Sequence, residues 1–108
     1  MQKGTPAFAR ILSAISKLQG SAGDISLPGV TVFFHICERD GIGLKELIFV
    51  SGFSESLVSR AVDRLAREGG RSGLVRVVKN PKDRRQRFVY LTEKGHALRD
   101  QLAETLSP

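Results

Sequence analysis

From residue 6 onward, apolar side chains return every three or four positions: Phe8, Ile11, Leu12, Ile15 and Leu18. That spacing describes one face of an α-helix. Thr5-Pro6 supplies its start, with Thr as cap and Pro in the first turn, and Gly20 supplies its end. Small residues from Gly20 to Ser26 predict a loop. Pro28 opens a second helix, with Val30, Phe33, Phe34 and Cys37 as its expected buried stripe and Asp40-Gly41 as its stop. Gly43 to Val50 predicts a brief third helix, with Leu44, Leu47 and Ile48 on one side. Ser51-Gly52-Phe53 reads as a tight turn, after which Ser54 caps a fourth helix over 54–68. There Val58, Ala61, Val62 and Leu65 follow the i, i+3, i+4, i+7 pattern of a core face. Ser56, Ser59, Arg60, Asp63 and Arg67 are left on the opposite side.

Past Gly69, Gly70 and Gly73 the character of the chain changes. Leu74 to Lys79 is rich in valine and Arg87 to Leu91 is its expected strand partner. Asn80-Pro81-Lys82-Asp83 carries turn chemistry between them. Thr92 caps a last helix with Leu98, Leu102 and Leu106 on a narrow stripe. The expected fold is mainly α with a small β-hairpin, an α+β domain occupying all of 1–108. Its parts are an N-terminal helix (1–20), a helix-turn-helix and hairpin core (28–91) and a short C-terminal helix (92–108).

Charge sharpens this picture. The chain has 17 Lys and Arg against 11 Asp and Glu. Residues 54–87 alone hold ten basic and four acidic side chains, so they carry the whole surplus of six and the rest of the chain is neutral. Excess charge concentrated in one segment points to a polyanionic partner. No apolar run approaches the roughly 20 residues of a membrane span, and the N-terminus lacks the apolar centre of a signal peptide. A cytoplasmic, nucleoid-associated protein without membrane contact is expected. The single cysteine excludes an internal disulfide, and no Cys/His cluster suits zinc. No catalytic constellation, metal or cofactor is expected. His35 and His96 read as isolated surface residues, and Cys37 as a buried thiol rather than a redox sensor.

Helix, tight turn, helix and basic hairpin, in that order, form the plan of a winged helix-turn-helix. A helix that enters the major groove of double-stranded DNA needs short polar side chains near its N-terminus and long donors beyond them. Ser56 and Ser59 are of the first kind and Arg60 of the second; Arg64, one turn further on, is counted among the expected DNA-binding side chains. The hairpin, with Lys79, Lys82, Arg84, Arg85 and Arg87, is suited to follow the phosphate backbone. One of its arginines can enter a narrow minor groove.

Asp83-Arg84-Arg85, followed after three residues by Val-Tyr-Leu-Thr-Glu-Lys-Gly (89–95), resembles the wing signature of the MarR family of prokaryotic transcription regulators. The segment from Ser54 to Leu65 resembles that family's recognition helix, and Leu27-Pro28-Gly29 the start of its second helix. The resemblance covers roughly residues 25–98. It implies major-groove contacts from Ser54, Ser56, Ser59 and Arg60, and wing contacts from Arg84 and Arg85. It also implies that Asp83 braces the wing by pairing with a nearby arginine. An acid inside a basic tip is repelled by phosphate, which favours the same role.

The chain departs from the family pattern in three places. Residues 69–73 insert extra glycine, arginine and serine before the first wing strand. Ile48-Phe49-Val50 makes the third helix unusually apolar. The family continues into long C-terminal helices that build most of its dimer interface and ligand crevice, whereas this chain ends 13 residues after Gly95. The apolar stripe of the first helix, Phe8, Ile11, Leu12, Ile15 and Leu18, exceeds what covering a small core requires, so this helix is the expected homodimer element. Any small-molecule effector is left open. Two other readings stand beside regulation: a protein-interaction module, or a replication or partition accessory protein of a plasmid or phage.

Overall fold

The computed structural model describes residues 6–67 and 73–108. Thr5, the expected cap of the first helix, lies outside them, as do the end of the expected recognition helix at residue 68 and the inserted residues 69–72. The elements run α1 (Pro6–Ala22), α2 (Leu27–Glu38), β1 (Ile42–Gly43), α3 (Leu44–Ser51), α4 (Glu55–Ala66), β2 (Val75–Asn80), β3 (Asp83–Leu91) and α5 (Glu93–Leu106). The strands form one antiparallel sheet in the order β1-β3-β2.

Local chemistry sets the boundaries. Ser26, Ser54 and Thr92 each accept a backbone N–H of the first turn that follows, at 3.1–3.2 Å, so α2, α4 and α5 all start on a hydroxyl cap. Gly52, at φ +74°, closes α3 in the left-handed conformation and donates its N–H to the Ile48 carbonyl. α1 runs past Gly20 to Ala22, and a second glycine, Gly23 at φ +71°, follows its end. Strand β1 is two residues long and pairs Ile42 with Val89 and Gly43 with Phe88. Two residues are too few to show an alternating pattern, so the sequence carries no signal for it.

Phe33, Ile36 and Val32 of α2 are fully buried at the centre of the core, with Leu18, Leu47, Val58, Leu74 and Val89 from the surrounding elements. The expected stripe on α2 is out of phase. Gly29, Val32, Phe33 and Ile36 face inward, Val30 and Cys37 are half-buried, and Phe34 is 37% exposed. Nearly every residue from 30 to 37 is apolar, so hydrophobicity alone could not choose between adjacent faces of the helix. In α4, where apolar and charged positions separate cleanly, Val58, Val62 and Leu65 are buried as expected.

The stripe on α1 divides in two. Leu18 joins Ala14 and Ala22 in the chain's own core, and α1 packs along α5. Leu18 is 1% exposed, which removes it from any surface open to a partner. Phe8, Ile11, Leu12 and Ile15 remain exposed at 67, 46, 68 and 42%. On α5, Leu98 and Leu102 are buried and Leu106 is exposed.

Candidate nucleic-acid interface

Helix α4 is bound to the molecule along one side only. Its C-terminal end is tied down by Leu65, whose carbonyl accepts the backbone N–H of both Gly73 and Leu74. Its outer surface carries Ser56, Arg60, Asp63, Arg64 and Arg67, all exposed, and Ser59, half-buried. Ser54 spends one lone pair on its cap to Leu57. Arg60 lies back along the helix, with Nε 3.5 Å from the Ser56 carbonyl. Arg64 donates from Nη2 to the backbone carbonyl of Asp24 at 2.8 Å, which anchors that guanidinium to the loop between α1 and α2.

The hairpin differs in detail from the one expected. Strand β3 begins at Asp83, so the turn proper is Pro81-Lys82, and Arg84, Arg85 and Arg87 belong to the strand. Pairing is regular from Val75↔Leu91 to Lys79↔Arg87 and then jumps to Asn80↔Asp83. Arg84, Arg85 and Gln86 are thereby displaced from the register as a bulge, a device that re-aims side chains near a strand end. Side chains fasten the bulged tip. Asn80 Nδ2 donates to Gln86 Oε1 at 2.6 Å, and Asn80 Oδ1 accepts from the Lys82 N–H at 2.9 Å. Asp83 Oδ1 accepts the backbone N–H of Arg85 at 3.0 Å and lies 3.9 Å from its Nε. Asp83 thus engages the backbone more closely than it engages the guanidinium. Lys82, Arg84, Arg85 and Arg87 are all exposed.

One pairing is costly. Lys79 and Arg87 stand directly opposite each other across the two strands. Like charges in that relation destabilise a sheet, and a phosphate between them would relieve the repulsion. Lower on the hairpin the Arg76 guanidinium lies 5.1 Å from the centre of the Tyr90 ring, which screens part of the charge.

Hairpin and helix meet at a groove. Glu55, the first residue of α4, lines it together with Arg85, Gln86, Arg87 and Phe88 of β3 and Lys45 and Glu46 of α3. The start of α4 and the inner side of the wing therefore open on the same surface. Arg39 also lines this groove and is paired with Glu46. Sequence reasoning missed Lys45, Arg39 and Glu55, because they fall outside the basic stretch or oppose its sign. Only the tertiary arrangement brings them beside the wing.

Other candidates fall elsewhere. His96 is not isolated: its Nε2 is 3.1 Å from Asp40 Oδ2, and Asp40 Oδ1 accepts the Leu91 N–H at 2.8 Å. This cluster ties the loop after α2 to β3 and α5. Asp63 forms no ion pair with Arg64 or Arg67 among the described residues. Among those residues no three His, Cys, Asp or Glu side chains gather as a metal site. Among the described residues no helix is long and apolar enough to cross a membrane.

The model of the winged helix DNA-binding domain family matches residues 29–95, more than half of the chain. No curated protein sequence matches. Among solved structures, the fold is similar to a MarR transcriptional regulator from Methanosarcina mazei Go1, with 24% identity and a TM-score of 0.69 over 91% of this chain and 66% of that one. It is also similar to Streptococcus pneumoniae FabT in complex with DNA, with 19% identity and a TM-score of 0.69 over 90% and 65%. A MarR-family regulator from Rhodococcus sp. RHA1 shares 25% identity, with a TM-score of 0.64 over 92% and 66%. The chain spans about two thirds of the length of each of these three proteins.

Proposed function

Since the chain belongs to the winged helix DNA-binding domain family, we propose that it is a MarR-type transcription regulator that binds a specific double-stranded DNA sequence as a homodimer. In this reading the N-terminal half of α4 enters the major groove. Ser56 and Ser59 allow close approach to base edges, and Arg60 offers its fork to guanine O6 and N7. The bulged wing, through Lys82, Arg84, Arg85 and Arg87, follows the backbone, and Lys79 adds charge at its base. One observation carries the reading: Glu55 at the head of α4 and Arg85 and Arg87 of the wing line a single groove. A protein whose helix and wing pointed apart could not clasp one duplex with both.

The exposed side of α1 supports the homodimer, since Phe8, Ile11, Leu12 and Ile15 are left 42–68% exposed by the described residues. A two-fold dimer would present its two α4 helices about 34 Å apart, one turn of DNA.

Selection of bound genomic fragments, followed by fluorescence anisotropy, tests the whole reading. Arg60→Ala should cost about 1–3 kcal/mol for each half-site of the selected sequence and relax preference at one position of each half-site. Arg84→Ala or Arg85→Ala should weaken binding to all sequences and flatten its salt dependence. Binding indifferent to all three substitutions would overturn the assignment.

A further inference from the structure

We infer that α4 carries a second backbone contact on the edge away from the wing, a seat for DNA phosphates formed by Arg64 and Arg67 in line with Arg60. This inference rests on the DNA-binding reading above and adds to it the strand that the wing does not hold.

The first observation is periodic. Arg60 and Arg64 of α4 and Arg67, which caps its C-terminus, stand at i, i+4 and i+7, which at 3.6 residues per turn places them within about 60° of one another. They make a stripe about 10 Å long, enough to meet more than one phosphate of a strand on which charges recur every ~3.4 Å of axis. The second is the surface they share. All three line one groove with Ser26 and Pro28, at the start of α2, and with Leu57 and Ala61. Among the described residues Asp63 is the one acid lining it, beside three guanidiniums. None of the three forms an ion pair within 4 Å among the described residues.

The third observation is a tether. The bond from Arg64 Nη2 to the Asp24 carbonyl fixes that guanidinium at the groove while using one of its five N–H donors. The remaining donors are held in place before any ligand arrives, which lowers the ordering cost of binding.

The geometry of a duplex then decides what the stripe meets. The major groove is about 12 Å wide and a helix with its side chains fills 10–12 Å, so a helix lying in it has one phosphate backbone on each flank. The Glu55 edge of α4 borders the wing groove and the Arg64 edge borders the α2 groove. The wing takes one backbone and the arginine stripe takes the other.

Anisotropy titrations of the full chain on its selected fragment, from 50 to 200 mM salt, read this directly; those concentrations span roughly the range over which counterion release dominates. In the homodimer each substitution removes two phosphate contacts, so Arg67→Gln should reduce the log–log salt slope by about 1.8, and Arg64→Gln with Arg67→Gln by about twice that. The ratio of affinities for selected and scrambled fragments should stay as in the parent. Arg67 makes no side-chain hydrogen bond among the described residues, so its variant should unfold at the parent temperature. Within each half-site, ethylation interference should lose contacts on one strand only, opposite the strand that Arg85→Ala affects in that half-site. Parent slopes in both variants, or a lost base preference at constant slope, would refute the seat while leaving the DNA-binding reading intact. A parent chain that binds no duplex would refute both.

Discussion

A Cβ placed on Gly95 would stand 2.0 Å from the carbonyl oxygen of Leu74. The same oxygen accepts the N–H of Thr92 at 3.0 Å, and the Thr92 hydroxyl donates to the Gly73 carbonyl at 2.6 Å while capping Gly95. Gly73 and Leu74 in turn close the end of α4 through Leu65. The first turn of α5 is thus pressed against the root of the wing, just where the recognition helix hands over to it. Alanine in a helix is ordinarily better than glycine by about 1 kcal/mol. Here the sign should reverse, because the obstacle is backbone and cannot rotate aside. Gly95→Ala should destabilise the domain by about 3 kcal/mol, seen as a lower urea midpoint. A midpoint at or above that of the parent would show that α5 can retreat at no cost.

Asp83 offers a test whose sign separates two roles. Removing an acid from a basic wing should strengthen binding to any duplex if charge is all that matters. If the Asp83 carboxylate instead shapes the bulge by accepting the Arg85 N–H, Asp83→Ala should weaken binding severalfold despite the more favourable charge. Asp83→Asn keeps an oxygen acceptor and removes the charge, so it should bind at least as tightly as the parent. Tighter binding by both variants would end the bracing role.

Cys37 faces a shallow apolar groove between α2 and α5, lined also by Phe34, Leu102 and Leu106. Burial pushes its thiol up to about 12; Arg99 pulls it down, and Asp40 and Glu38 push it further up. The folded chain therefore holds this proton more tightly than the unfolded chain does. The resulting stability is complete below about pH 9 and is lost as the pH rises towards 12. At pH 8 the thiolate fraction should be on the order of a thousandfold below that of the unfolded chain. Iodoacetamide should accordingly modify the native protein at least a hundredfold more slowly than the protein in urea. Rates within a factor of ten would mean the thiol is open and ionised.

What the chain announces about itself depends on contrast between neighbouring positions. On α4 the buried residues are apolar and the exposed ones are serine, arginine, aspartate or glutamate, so both its phase and its exposed donors are legible. On α2 the apolar residues from Val30 to Cys37 are nearly continuous, and the phase was lost. The hairpin could be foreseen from its valines and its Asn-Pro turn. Its bulge could not, because Asn80, Asp83 and Gln86 fasten the tip through side chains whose pairing requires the tip to exist already. The links from Arg64 to Asp24 and from His96 to Asp40 join distant parts of the chain, and no local period encodes them. The stripe on α1 is legible as apolar, but only packing assigns Leu18 to the core and Leu12 to the surface.

That division of α1 gives the last prediction its leverage. Ala14, Leu18 and Ala22 hold the helix to the rest of the chain, so its outer face can be changed without loosening the fold. Phe8 and Leu12 are the two most exposed side chains of that face, at 67 and 68%. In a two-fold dimer each is buried twice, once from each partner. At about 1.5–3 kcal/mol for each buried side chain, replacing both by serine should weaken association by several kcal/mol, at least a hundredfold in dissociation constant. Sedimentation equilibrium at micromolar concentration should show a dimer for the parent and a monomer for the Phe8→Ser, Leu12→Ser variant, with equal thermal stability of the monomeric fold. On DNA, the variant should hold a half-site nearly as well as the parent does but lose the advantage of a full two-fold site, because that advantage comes from linking two readers. A parent chain that sediments as a monomer at high micromolar concentration would remove α1 as the joining element.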